Sequence, residues 1–174
     1  MSEALIAVAA LSLLLAGLAH TRAPDPLRKT LARHAVLPGS LQAPVAASLV
    51  LVEIALGAGL LVGLSLAHNL VRGLSLAAAL LFAAMAGYVH IAARRAPATA
   101  LPCGCGFGEA PLGLWVTVRA GLLAVLSGLG ALTTDVSALQ RRPAPELVIM
   151  LAATVALTIA ITALPAARAT GVAR

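Results

Sequence analysis

Aromatic side chains are nearly absent from this sequence: two Phe, one Trp and one Tyr make up 2% of it. Charge is scarce as well, at 10% of 174 residues, while 61% are hydrophobic and the mean hydropathy is +1.02. A soluble domain of this size cannot hide that much apolar side chain, so lipid is the expected solvent. The dominance of Ala, Leu, Val and Gly fits closely packed helices. The net charge of +6 does not point to nucleic acid. Its basic residues sit in short connections between apolar runs, where they read as anchors for lipid headgroups. The sequence contains no internal repeat and no second domain. Only two cysteines are present, so no other thiol exists to make a competing structural bridge.

Runs of about 18 or more apolar residues are candidate membrane helices. Five occur, over about 4–19, 44–66, 69–93, 111–133 and 145–164. The first has an acidic start (Ser2, Glu3) rather than the basic n-region of a signal peptide, so it is expected to be a retained span. Pro44 suits the first turn of the second, and Pro165 is expected to end the fifth. The expectation is an all-α integral membrane protein with a single transmembrane domain over 1–174. In the first connection, 26-PLRKTLARHAVLP-38 puts Leu27, Leu31 and Ala35 on one helical face and basic groups on the other. That pattern predicts a short helix lying in the membrane interface. With five spans, the first and third connections share one side with the C-terminus. This gathers His20, His34, Cys103 and Cys105 at one face, with His90 about 5 Å below the end of the third span.

Glu53 and Arg119 stand out on energetic grounds. They lie roughly 12–13 Å into spans entered from that same face. An ionisable group at such depth costs roughly 2.5–3.5 kcal/mol on insertion scales. The economical expectation is that the two neutralise each other inside the bundle, either fixing helix register or steering a proton or a quinone headgroup. Arg72 is close enough to the opposite face to snorkel. Gly59 and Gly63 form a GxxxG pair that lets helix backbones approach closely, with packing inside the monomer favoured over a dimer interface. The histidines read mostly as headgroup anchors, and His68 as a turn residue.

Both cysteines lie in one glycine-rich bend, 101-LPCGCGFGEAP-111. In an extended chain the side chains of Cys103 and Cys105 point to opposite faces, so the backbone must fold over to join the sulfurs. Gly104 and Gly106 permit the dihedrals that this needs. Reduced, the two thiolates offer soft ligands for copper, zinc or mercury. Oxidised, they form a small, strained ring suited to exchange. The bend is expected to be exposed. No Met cluster or second cysteine pair follows along a helix, which weighs against metal transport.

The order of these features resembles the MauE family, within the broader MauE/DoxX group of redox-associated membrane proteins. The matching pieces are 36-VLPGS-40, 52-VEIALGAGLL-61 with its acidic residue, 72-RG-73, 102-PCGCGFG-108 and 115-WVTVRAGLL-123 with its arginine. Together they cover roughly residues 20–130. The family pattern runs from CGC directly to Phe-Gly, whereas here Gly106 intervenes before Phe107. The resemblance implies a four-helix bundle core with a fifth transmembrane helix added. It implies Cys103 and Cys105 as a dithiol facing a thioredoxin-like partner, and Glu53 and Arg119 as polar elements inside the bundle. It also implies support for the maturation of a disulfide-rich extracytoplasmic enzyme, as in methylamine utilisation.

Three functions remain open on the residues themselves. The first is a thiol–disulfide redox protein of the cell membrane, a candidate oxidoreductase, using Cys103 and Cys105 with support from Gly104, Gly106, Glu53, Arg119 and His90. A quinone is the candidate electron acceptor. The second is a soft-metal protein with Cys103 and Cys105 as ligands. The third is a non-catalytic assembly subunit. A homo-oligomer is open too. Orientation carries a conflict. Arg22, Arg28, Lys29, Arg33, Arg94, Arg95, Arg168 and Arg174 share the cysteine face, against Arg72, Arg141 and Arg142 opposite, so the positive-inside rule puts the cysteines in the cytoplasm. The resemblance implies the outside, where disulfide exchange is at home, and the extracytoplasmic placement is the expectation adopted.

Overall fold

The computed structural model describes residues 2–66, 68–95, 101, 103, 112–133 and 142–171. Six helices account for nearly all of them: α1 (Ser2–Arg22), α2 (Pro24–His34), α3 (Gly39–Leu66), α4 (His68–Arg95), α5 (Leu114–Thr133) and α6 (Ala144–Gly171). No strand occurs among the described residues. All but α2 are long and apolar enough to cross a membrane, which makes five spans. Lipid offers the backbone no hydrogen bonds, so each crossing segment must satisfy its own, as a helix does.

Helix α1 packs on α3, α3 on α4, α4 on α5, and α5 back on α1, which closes a four-helix bundle. Helix α6 leans on α1 and α5 from outside this ring, and α2 lies against α3. The most enclosed span is α1, with 50% of it buried against 17% for α3 and for α6. Its Ile6, Val8 and Leu13 centre the main core, where they meet Leu60, Val71, Phe82 and Leu123. The outer faces carry bare leucines and isoleucines such as Leu51, Leu80 and Ile149. In lipid these cost nothing, because acyl chains are as apolar as they are.

Small residues set the helix spacing. A Cβ built on Gly57 would sit 2.9 Å from both the Ala10 carbonyl oxygen and the Leu14 nitrogen of α1. At Gly63 it would sit 2.9 Å from Val71 Cγ2 of α4. The GxxxG pair thus packs within the monomer, with Gly59 only 3.2 Å from Leu74 Cδ1 by the same measure.

Two helix ends differ from expectation. Pro44 lies inside α3 rather than in its first turn, because the helix starts earlier, at Gly39. Pro165 does not end α6, which continues to Gly171 although its apolar span stops at Ala163. Proline deletes one backbone bond and crowds the preceding turn, yet a helix can bend through it.

The short amphipathic helix expected in the first connection is present as α2, with Pro at its start and Leu27, Thr30, Leu31 and His34 buried. Those positions follow the i, i+3, i+4, i+7 spacing of one helical face. Arg28, Lys29 and Arg33 are exposed. Ala35, expected on the inner face, is instead exposed and caps the helix in the left-handed conformation (φ 51°). At the opposite end of the bundle, buried Glu3 accepts from Arg142 at 3.4 Å, and the same guanidinium reaches Glu146 at 3.5 Å. This ties the start of α1 to the start of α6.

Candidate functional site

Four helix segments converge at the cysteine end of the bundle. They are the last turn of α1, the inner face of α2, the first turns of α3 and the last turns of α4. Between them lies a cavity of about 240 Å³. Leu27, Leu31, Val45, Leu49, Leu81 and Met85 make its walls mainly apolar. Cys103 also lines it. The cysteine connection is pinned at its base, where Leu112 N–H donates to the Leu101 carbonyl at 2.7 Å. That bond holds Cys103 against Val89 of α4 and Val116 of α5.

Cys103 is only 7% exposed, which corrects the expectation of an open bend at this position. The cause is its packing between α4 and α5. Its sulfur is disulfide-bonded. Cys105, Gly104 and Gly106 lie outside the described residues.

Polar groups line the same cavity. His34 Nδ1 and the Tyr88 hydroxyl are hydrogen-bonded at 3.1 Å, with ring centroids 5.7 Å apart. Thr30 and His20 complete the set. His20 and His34 are each 4% exposed, so neither is the headgroup anchor expected of it. The sequence carries a signal for the burial of His34. It sits seven residues after Leu27 and three after Leu31, on the face that had to be buried. Tyr88 carried none beyond being the single tyrosine in the chain. Its neighbour His90, expected in the site, is exposed. Two residues turn a helix by about 200°, so His90 and Tyr88 point apart.

Deeper in the bundle is a second cavity of about 30 Å³, lined by Ser12, Glu53, Met85, Arg119 and Thr162 among others. Glu53 is fully buried and Arg119 is 8% exposed, so both enter the interior at one place as expected. They do not form the direct pair that was expected. The ion-pair contact of Glu53 is with His20 Nε2 at 3.9 Å, and neither carboxyl oxygen has a hydrogen-bond partner. The close approach of α1 to α3 explains the change of partner, because it sets the end of α1 beside Glu53. Met85 borders both cavities, and His20 reaches from the larger one to Glu53, which lines the smaller. Among the described residues, no group of three or more His, Cys, Asp or Glu is placed to hold a metal ion.

A family model described as methylamine utilisation protein MauE matches residues 1–133, which hold α1 to α5 and therefore the whole four-helix ring, α2, the larger cavity and all of the smaller one's lining except Thr162 of α6. No curated protein and no solved structure matches the chain. With three quarters of its length inside that match, this five-span membrane protein belongs to the MauE family.

Proposed function

We propose that the protein is a membrane thiol–disulfide exchanger. Its Cys103–Cys105 pair takes two electrons from a thioredoxin-like partner and so supports disulfide formation or maturation of an extracytoplasmic protein. The observation that carries this reading is the disulfide at Cys103. The chain has one other cysteine to close it, two positions away. A ring that small between glycines stabilises little, since the constraint a disulfide places on the unfolded chain grows with loop length. Exchange is the better use of it. A thiolate of the partner attacks one sulfur and a mixed disulfide forms. The partner's second thiolate then displaces it, leaving Cys103 and Cys105 as thiols and the partner as a disulfide.

Cys103 is nearly covered, so attack enters at Cys105. This makes the two single mutants unequal. With Cys103→Ser, the remaining Cys105 accumulates a thiol-sensitive adduct with a co-expressed thioredoxin-like protein on a non-reducing gel. With Cys105→Ser, the adduct falls at least severalfold. If neither mutant forms an adduct and the wild-type pair never changes redox state under oxidant or reductant, exchange is wrong. Cysteine-dependent binding of copper, zinc or mercury would then favour the metal reading, and full function of both mutants a scaffold role.

A further inference from the structure

We infer that the larger cavity is a binding site for a membrane quinone, which re-oxidises the cysteine pair from inside the bundle. The inference rests on the exchange reading above and adds the fate of the electrons. A protein that oxidises its partner once must lose two electrons before it can do so again. Among the described residues there is no second cysteine pair to receive them. The acceptor must therefore reach the pair itself, and Cys103 lines an apolar cavity rather than an aqueous cleft.

The chemistry of that cavity narrows the acceptor. Its walls favour a lipid-soluble molecule over a charged thiol such as glutathione, whose carboxylates would lose their water there. An acyl chain would satisfy the apolar walls but leave the polar groups unused. A quinone uses both. Its ring is flat and apolar, and its two carbonyl oxygens accept hydrogen bonds. With a proton on His34 Nδ1 donated to the Tyr88 oxygen across their 3.1 Å contact, the Tyr88 hydroxyl hydrogen is left to donate to a carbonyl. His20 and Thr30 supply further donors on the same lining. The volume of about 240 Å³ lies below the roughly 300–1,000 Å³ of most small-molecule pockets, which limits the occupant to a single ring with its tail outside. An isoprenoid tail would leave past Ala84, which lines the cavity and is exposed on the outer side of α4.

The step balances. The dithiol loses two hydrogens and its sulfurs join. Two S–H bonds break and one S–S bond forms. The quinone gains the two electrons and two protons, and its two C=O groups become C–OH. His20, in contact with Glu53 at 3.9 Å, gives protons at the ring a polar neighbour deeper in the bundle.

The test uses the full-length protein in lipid nanodiscs, with a short-chain ubiquinone and its azido-derivative as probes. Illumination with the azidoquinone should label peptides of α2 and α4, and excess unlabelled quinone should suppress the labelling at least tenfold. The dithiol form, freed of reductant, should convert about one quinone per chain to hydroquinone. Ala84→Phe at the mouth should abolish labelling. Tyr88→Phe, which keeps the ring and fold, should weaken quinone binding at least tenfold. Labelling that survives both substitutions, or that phospholipid suppresses as well as quinone does, overturns the site. A bound quinone that the dithiol does not reduce overturns the electron route. The mixed-disulfide trap with Cys103→Ser, run beside quinone reduction by chains that keep both cysteines, separates the two readings. Adducts without quinone reduction sink this inference alone, whereas quinone binding without adducts sinks the exchange reading.

Discussion

At the scale of single residues, Glu53 poses the sharpest energetic problem. Each buried polar atom left without a hydrogen bond costs about 1–3 kcal/mol, and both of its oxygens are in that state, as is the Ser12 hydroxyl on the same cavity. A side chain so costly was visible in the sequence for that reason: a carboxylate in the middle of 52-VEIALGAGLL-61 has no cheap place to be. Arg119 was visible by the same logic. Their partners were not, because depth along a helix is readable from a sequence while the facing helix is not. His20 looked like the end of a span, and only the packing of α1 on α3 turns it toward Glu53. If the 3.9 Å contact is a working interaction, His20→Ala and Glu53→Ala should fail to add. A double-mutant cycle of unfolding in detergent should give a coupling of about 0.5–3 kcal/mol, the range for residues in contact. Additive effects would mean the two merely lie close.

At the scale of the helices, the runs of Ala, Leu and Val announced every crossing, because a span needs only length and hydropathy. Facing was harder. Gly57 and Gly63 lie six residues apart, about 1.7 turns at 3.6 residues per turn, so they serve different neighbours. Gly57 receives α1 and Gly63 receives α4. A spacing rule that marks Gly59 and Gly63 finds the α4 contact and overlooks the tighter one. The difference is measurable. Gly57→Ala forces a methyl to within 2.9 Å of the α1 backbone, and overpacking of this kind typically costs about 1–3 kcal/mol. Gly73 is also in a helix, but a Cβ there meets nothing within 4 Å. Gly73→Ala should therefore be neutral or raise stability by up to about 1 kcal/mol, the helix-propensity difference. Thermal melts of the two variants in one detergent compare them directly. A destabilised Gly73→Ala beside an unchanged Gly57→Ala would contradict this account of the α1–α3 contact.

At the scale of the whole molecule, five crossing helices place the two ends of the chain on opposite sides of the membrane. The Glu3–Arg142 clamp agrees, since it joins the start of α1 to the start of α6 at the end of the bundle away from Cys103. The same clamp sharpens the conflict over orientation. Arg142, one of the few basic residues at that end, is already engaged by two carboxylates. The cysteine end carries exposed Arg28, Lys29, Arg33, Arg94 and Arg95. Charge alone pulls the cysteine end inward, and disulfide chemistry pulls it outward. The exchange reading with an extracytoplasmic client requires the second. It predicts that a fluorescent protein fused before residue 1 reports the cytoplasm, while a phosphatase active only outside the cytoplasm works when fused after residue 174. A thiol reagent that cannot cross membranes should then label reduced Cys105 in intact cells. Both fusions on one side would break the five-span bundle itself. Opposite sides with the C-terminal reporter in the cytoplasm would leave the bundle intact, follow the positive residues, and require that any thioredoxin-like partner of this pair be cytoplasmic.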